Sequence, residues 1–178
     1  MYQHVLDFWF EELQPKDWFM VNPEVDQHIH QRFAPLVEQA AQCELFHWRK
    51  SAHGRLAEII VLDQFSRNIY RNTPRAFSQD PLALALAQEA ISIGADQALS
   101  VEQRAFLYMP YMHSESAQIH QQAVTLFNQP GMENNYDFEL KHKVIIDRFG
   151  RYPHRNEILG RPSSDEELEF LAQPNSRF

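Results

Sequence analysis

Apolar residues recur at three- and four-residue intervals along this chain and almost nowhere alternate with period two, which restricts it to helices. Composition agrees, since only five Gly and two Thr occur in 178 residues and the ten Pro punctuate rather than cluster. Residues 3 to 13 read as a first helix. Asn22-Pro23 is an N-cap with proline at N1, opening a helix with Val25, Ile29 and Phe33 on one stripe, which Pro35 bends or restarts. A segment of about 53 to 70 is apolar nearly all round and should be the central, buried helix. Asp80-Pro81 repeats the cap-plus-proline signal, and Gly94 ends that helix.

Ser100 and Gln103 match a capping box and open a helix that must end or kink at Pro110. Ser114 caps the next, to about Asn128. A Gln129-Pro130-Gly131 turn precedes a helix of about 136 to 149, stopped by Gly150, and Ser164 with Glu167 opens a short terminal helix. Eight or nine helices with short connections and no hinge-like linker predict one all-α domain over residues 1 to 178, with antiparallel neighbours stacked as hairpins. Ala83, Ala87 and Ala90 sit at close-packing spacing, as in a tetratricopeptide-type helix.

Charge narrows the function classes. The chain totals -8, yet residues 141 to 161 sum to +4 and residues 63 to 75 to +2, leaving -14 elsewhere. An acidic molecule is poorly suited to nonspecific nucleic-acid binding, which draws its affinity from phosphate neutralisation. No apolar run approaches the roughly 20 residues of a membrane span. The N-terminus lacks a basic region and carries Asp7, Glu11 and Glu12, unlike a secretory signal. Cys43 is alone, which suits a reducing compartment, so a cytoplasmic location is expected.

Three constellations carry chemistry. In Leu62-Asp63-Gln64-Phe65-Ser66-Arg67-Asn68-Ile69-Tyr70-Arg71, Asp63 and Arg67 form an i,i+4 ion pair and Gln64 and Asn68 an i,i+4 amide pair. These either fix helix register or orient Arg67 and Arg71 toward an anion. In Met109-Pro110-Tyr111-Met112-His113-Ser114-Glu115, the spacing places His113 at the positive dipole end of the following helix, where the imidazole stays neutral and able to act as a base, with Glu115 in the first turn. His113-x-Glu115 is not a same-face pair, and neither a His-Glu-x-x-His motif nor a Cys cluster occurs, so no metal is expected. In the third, Arg148 closes a helix and a loop displays Arg151, His154, Arg155 and Asn156, with Tyr152 extended before Pro153. These donors either cap helices and pair with surplus acids or recognise an anion.

These motifs, with Ala76-Phe77 and the Asp80 beyond, His142, and Leu159-Gly160-Arg161, resemble a bacterial family, domain of unknown function 924. The likeness runs from Asp7-Phe8-Trp9-Phe10 to the close at Leu171, departing at Tyr152 where Phe is usual. It implies an all-α, tetratricopeptide-like fold and carries over no catalytic residue. The functional expectation is a small anionic ligand or acidic peptide bound by Arg67, Arg71, His142, Arg148, Arg151, His154, Arg155 and Asn156, without a cofactor. The alternatives are a hydrolase on an anionic substrate, with His113 as base and Glu115 or Asp63 as orienting acid, and a purely structural protein whose Trp9, Trp18 and Trp48 anchor the core.

Overall fold

In the computed structural model, which describes residues 2–174 and Ser176, the segment predicted to be central is central. Ala52–Ile60 continues through a π-helical turn, Val61–Phe65, into Ser66–Ile69, and together these form α3. Every residue from Leu56 to Ser66 is buried. Around it stand α1 (Gln3–Asp7, prolonged by a π turn Phe8–Glu12), α2 (Pro23–Ala41), α4 (Asp80–Ser92) and α5 (Val101–Met112). Helices α6 (Ala117–Phe127), α7 (Glu133–Phe149) and α8 (Asp165–Leu171) complete eight helices, with no strand among the described residues. Helices α4 to α7 pack each on the next.

Local chemistry explains the boundaries. Asn22 accepts a bond from the Glu24 N–H at 3.0 Å, Ser51 caps α3, and both expected capping boxes form, at Ser100 with Gln103 and Ser164 with Glu167. Gly94 and Gly150 end α4 and α7 in left-handed backbone, at φ 70° and 67°. Neither of two prolines ends its helix. Helix α2 continues through Pro35 and α5 through Pro110, because buried Phe33 and Val37, and buried Met109 and Tyr111, hold each helix against the core on both sides of the proline. Ser114 does not cap α6; Ser116 holds that position, and Ser114 Oγ accepts the Ser116 N–H at 3.2 Å.

The main core is aromatic, with Phe65 at its centre. Its ring centroid lies 4.8 Å from Phe33 and 5.7 Å from Trp9, which meets Phe106 at 5.5 Å. Trp9 and Trp48 are buried, and Trp18 packs on the rim. A second, smaller cluster joins Ile145, Ile146 and Tyr152 with Phe149 and Phe170. Between the two clusters lies a band of buried polar groups, described below. Among the described residues, no helix is long and apolar enough to cross a membrane.

One close approach tests the packing. A Cβ added at Gly54 would lie 2.1 Å from the Trp48 carbonyl oxygen, a backbone atom that cannot step aside cheaply. In an open helix Gly→Ala stabilises by about 0.5–1 kcal/mol. Here Gly54→Ala is expected to lower the melting temperature instead; a rise would show that Trp48 is not so close.

Candidate functional site

The π turn in α3 turns the Asp63 carboxylate into the protein interior, at 1% exposure of its side chain. Extra-residue turns of this kind recur where a helix presents a functional side chain. Asp63 accepts from Gln64 Nε2 at 2.6 Å and Arg67 Nη1 at 3.2 Å, and lies 2.7 Å from His113 Nδ1. Burial alone would raise its pKa, but His113 and Arg67 outweigh that and bring it down to about 2. An ionised Asp63 requires His113 to donate from Nδ1, leaving the Nε2 lone pair unspent. Burial, then Arg67, lower the pKa of His113, so the ring is neutral near pH 7.

Arg67 extends this pair outward. Its Nη1 and Nη2 grip Asp80 at 2.8 and 2.9 Å, and Arg155 Nη1 reaches the same carboxylate at 3.3 Å. Asp80 therefore serves two guanidiniums rather than the helix end; Gln79 takes the N-cap position instead. Arg155 is sandwiched between Phe77 and Tyr152, 4.5 and 4.7 Å from their ring centres. Its residue is 6% exposed, and its buried Nε has no hydrogen-bond partner among the described residues. Burial first, and the neighbouring Arg67 second, lower its pKa. Arg67, His113 and Asp80 keep side-chain exposures of 19, 17 and 14%, so water reaches this corner.

The corner is held by the end of α5. Three successive carbonyls leave the helix there, and each meets a side-chain donor. Met112 O accepts from Tyr152 Oη at 2.5 Å, His113 O from Arg155 Nη2 at 3.0 Å, and Ser114 O from His120 Nε2 at 2.8 Å. His113 is thus the C-cap residue of α5, at the negative dipole end, and not at the positive end of α6 as expected. Its resistance to protonation comes from burial and Arg67 instead. The cause of the misplacement is that α5 continues past Pro110.

The other residues singled out from sequence lie elsewhere. Glu115 is bound by Arg161 at 2.7 and 2.9 Å and accepts the Tyr152 N–H at 2.7 Å, so Asp63, not Glu115, orients His113. Arg71 grips Asp26 at 2.6 and 2.8 Å, and Asn68 donates to the same carboxylate instead of pairing with Gln64. Arg151 forks onto Glu167 at 2.7 and 2.8 Å, and Arg148 meets Glu166 at 2.8 Å. Asn156 bridges Ser163 and Arg161. Hence the structure brings Arg67 and Arg155 together and does not bring Arg71, Arg148 or Arg151 to them. His142 and His154 lie against Tyr152, at ring distances of 5.7 and 5.6 Å. Sequence reasoning missed His120, Glu139 and Phe77, and gave Asp80 and Tyr152 only backbone roles. Nothing local marks them, except that His120 and Glu139 lie on the buried stripes of their helices.

The sequence profile of a family described as "Bacterial protein of unknown function (DUF924)" matches residues 5–175. The chain belongs to this family. A solved structure of a protein of unknown function from Agrobacterium tumefaciens is 40% identical, with a TM-score of 0.91, and the match covers 96% of each chain. No curated protein matches the chain. The all-α fold expected from helical periodicity is therefore shared with a solved member-like structure, and the functional reading rests on the geometry above.

Two surface hollows are lined by other groups. One, of about 440 Å³, lies over Tyr111 between Ile91 and the Gln118, Gln121 and Gln122 side chains. The other, of about 520 Å³, shares the 153–163 loop and is bounded by His154, Arg161 and Leu168. Neither includes His113, Arg67 or Arg155.

The buried titratable groups set an acid limit. Burial holds the His142 pKa down at about 3, from an ordinary 6.5, so its contribution to stability is complete above pH 6.5 and lost as pH falls toward 3. Asp63, at about 2 against an ordinary 3.8, adds a loss that begins only below pH 3.8. The urea midpoint is expected to fall progressively on acidification from about pH 6.5. In His142→Gln that upper part of the decline should flatten; an unchanged profile would mean that His142 is not buried in its neutral form.

Proposed function

We propose that the protein binds a small anionic molecule, bearing a carboxylate or phosphate group, at the corner formed by Arg67, Arg155 and His113. The observation that carries this reading is the pairing of two guanidiniums on one carboxylate, Asp80, with the buried Arg155 Nε unspent. Asp80 accepts from both forks, with Asp63 beside Arg67 at 3.2 Å and the His113 carbonyl on Arg155, and bidentate recognition of a carboxylate or phosphate is what such forks do best. A bound anion also favours the protonated form of neighbouring His113, so affinity should rise as pH falls through the titration of that ring. An acidic peptide side chain presents the same chemistry. The acidic balance and the lone Cys43 fit a cytoplasmic setting, and stacking of α4 to α7 fits a tetratricopeptide-like array that presents the corner on a rigid frame.

Calorimetric titration with inorganic phosphate and with a small dicarboxylate tests the reading. Arg155→Gln is expected to weaken binding at least about tenfold, the worth of one charge-assisted bond. Asp80→Asn, which removes the competing carboxylate, is expected to tighten it. Absence of binding in both the natural protein and Asp80→Asn would overturn the proposal, as would affinity indifferent to Arg155.

A second reading is favoured by the 2.7 Å contact of His113 with buried Asp63. That arrangement is an oriented base, with Asp63 fixing the tautomer and Nε2 able to take a proton from water or a hydroxyl group. The corresponding activity is hydrolysis of an ester or amide carrying an anionic group, with Arg67 and Arg155 as the clamp. Across a panel of such substrates, His113→Asn is expected to lower any turnover by about 10²–10⁴-fold. Turnover that survives this substitution at full rate would exclude His113 as the base.

A further inference from the structure

A second acid–histidine pair lies behind the first, and its hydrogen bonds can be counted completely. His120 on α6 and Glu139 on α7 are both fully buried, with Nδ1 2.7 Å from Glu139 Oε1. His120 Nε2 lies 2.8 Å from the Ser114 carbonyl, an obligate acceptor, so Nε2 carries a hydrogen. Tyr152 Oη spends its own hydrogen on Met112 O, so at 3.2 Å it too accepts from Nε2. That leaves one proton for the short Nδ1–Oε1 contact, whichever atom holds it. If Nδ1 held it, the pair would be an imidazolium against a carboxylate. The second carboxylate oxygen, Oε2, is buried and has no partner among the described residues. A charged carboxylate with one bare oxygen in a dry site is far costlier than a carboxylic acid whose bare atom is a carbonyl.

We infer that the Glu139 carboxyl group holds this proton and donates it to His120 Nδ1, and that this neutral pair positions His113. The positioning follows from connectivity. Glu139 fixes the His120 tautomer, His120 Nε2 holds the Ser114 carbonyl, and Tyr152 holds Met112, so the residues on both sides of His113 are pinned. Arg155 pins His113 itself. Glu139 and His120 touch neither Asp63 nor the open corner; they are positioning residues. The titratable and charged groups packed around them are Lys143 and His142 on α7 and Tyr152 from the loop. Lys143 is partly exposed and turned to Asp147 at 2.5 Å. The raised pKa of Glu139, caused first by burial, has the same sense.

The positioning role rests on the proposed use of His113, whereas the location of the proton does not. Nitrogen-15 NMR of histidine-labelled protein reads the second directly, without any ligand. Near neutral pH, His120 should show a protonated Nε2 and a bare, acceptor-type Nδ1. Infrared spectra should contain a buried carboxylic-acid carbonyl band that disappears in Glu139→Gln. A His120 signal with both nitrogens protonated, or no such band, would overturn the neutral pair. For positioning, Glu139→Gln, whose amide N–H still donates to Nδ1, is expected to keep the His113 titration and phosphate affinity of the natural protein. Glu139→Ala is expected to move the His113 titration toward ordinary imidazole. An unmoved His113 titration in a folded Glu139→Ala protein would overturn the positioning role. If Glu139→Ala does not fold, His120→Asn serves the same comparison. Loss of phosphate binding with these signals intact would count against the anion site alone.

Discussion

A helix that ends partly inside a protein leaves carbonyl oxygens with little access to water, and this constraint organises the half of the molecule that carries its chemistry. Helix α5 ends between the two apolar clusters, at Met112, and the following carbonyls run to Ser114. The donors come from two elements: the phenol of Tyr152 and the guanidinium of Arg155 from the loop after α7, and the imidazole of His120 from α6. Satisfying three acceptors therefore fixes the 150–156 loop and α6 against the end of α5. His113 is placed as a consequence. Its carbonyl is held from the loop side, and its ring is delivered to Asp63 on the central helix.

Electrostatics then decides which arginines remain available for anything else. The chain has 24 acids against 16 basic residues, so a guanidinium finds a carboxylate unless the fold prevents it. Arg71, Arg151 and Arg161 each fork onto one acid, and those three acids join elements distant in sequence. Such partly exposed pairs contribute modestly to stability but fix geometry well. At Asp80 two guanidiniums share one carboxylate, and one of them, Arg67, also reaches Asp63. Arg155 is crowded there because its plane is clamped between Phe77 and Tyr152, which leaves its edge no freedom to seek another acid.

The legibility of the chain follows the range of the interactions. Helices were readable because their determinants are local: the capping boxes at Ser100 and Ser164, the proline after Asn22, and the glycines at 94 and 150 act within a few residues. The helices continue past the prolines at 35 and 110 for the converse reason, since tertiary packing of their neighbours overrides a local penalty. Within the site, Asp63 with Arg67 was visible as an i,i+4 pair. Its partner His113 was visible as a residue but not as a C-cap. His120 and Glu139 were invisible, because a buried polar residue on an amphipathic helix leaves the same trace as any break in the apolar stripe. The partners of Arg71, Arg148 and Arg151 were hidden too; each acid lies 16 or more positions away, and sequence spacing cannot rank such pairings.

The two acid–histidine pairs show how one arrangement of atoms acquires two roles through its surroundings. Both put a carboxylate oxygen 2.7 Å from an Nδ1. Asp63 has further donors, Gln64 and Arg67, that satisfy its second oxygen and its charge, so it can remain ionised while His113 stays neutral and reachable from solvent. Glu139 has no such donors, and His120 has no solvent. A carboxylate without donors in a dry site must take up a proton, and a histidine without solvent cannot exchange one with a ligand. The first pair is therefore suited to chemistry at an opening, and the second to holding that opening in shape. The difference comes from an arginine one helical turn after Asp63 and its absence after Glu139, where Lys143 stands instead and turns outward to Asp147.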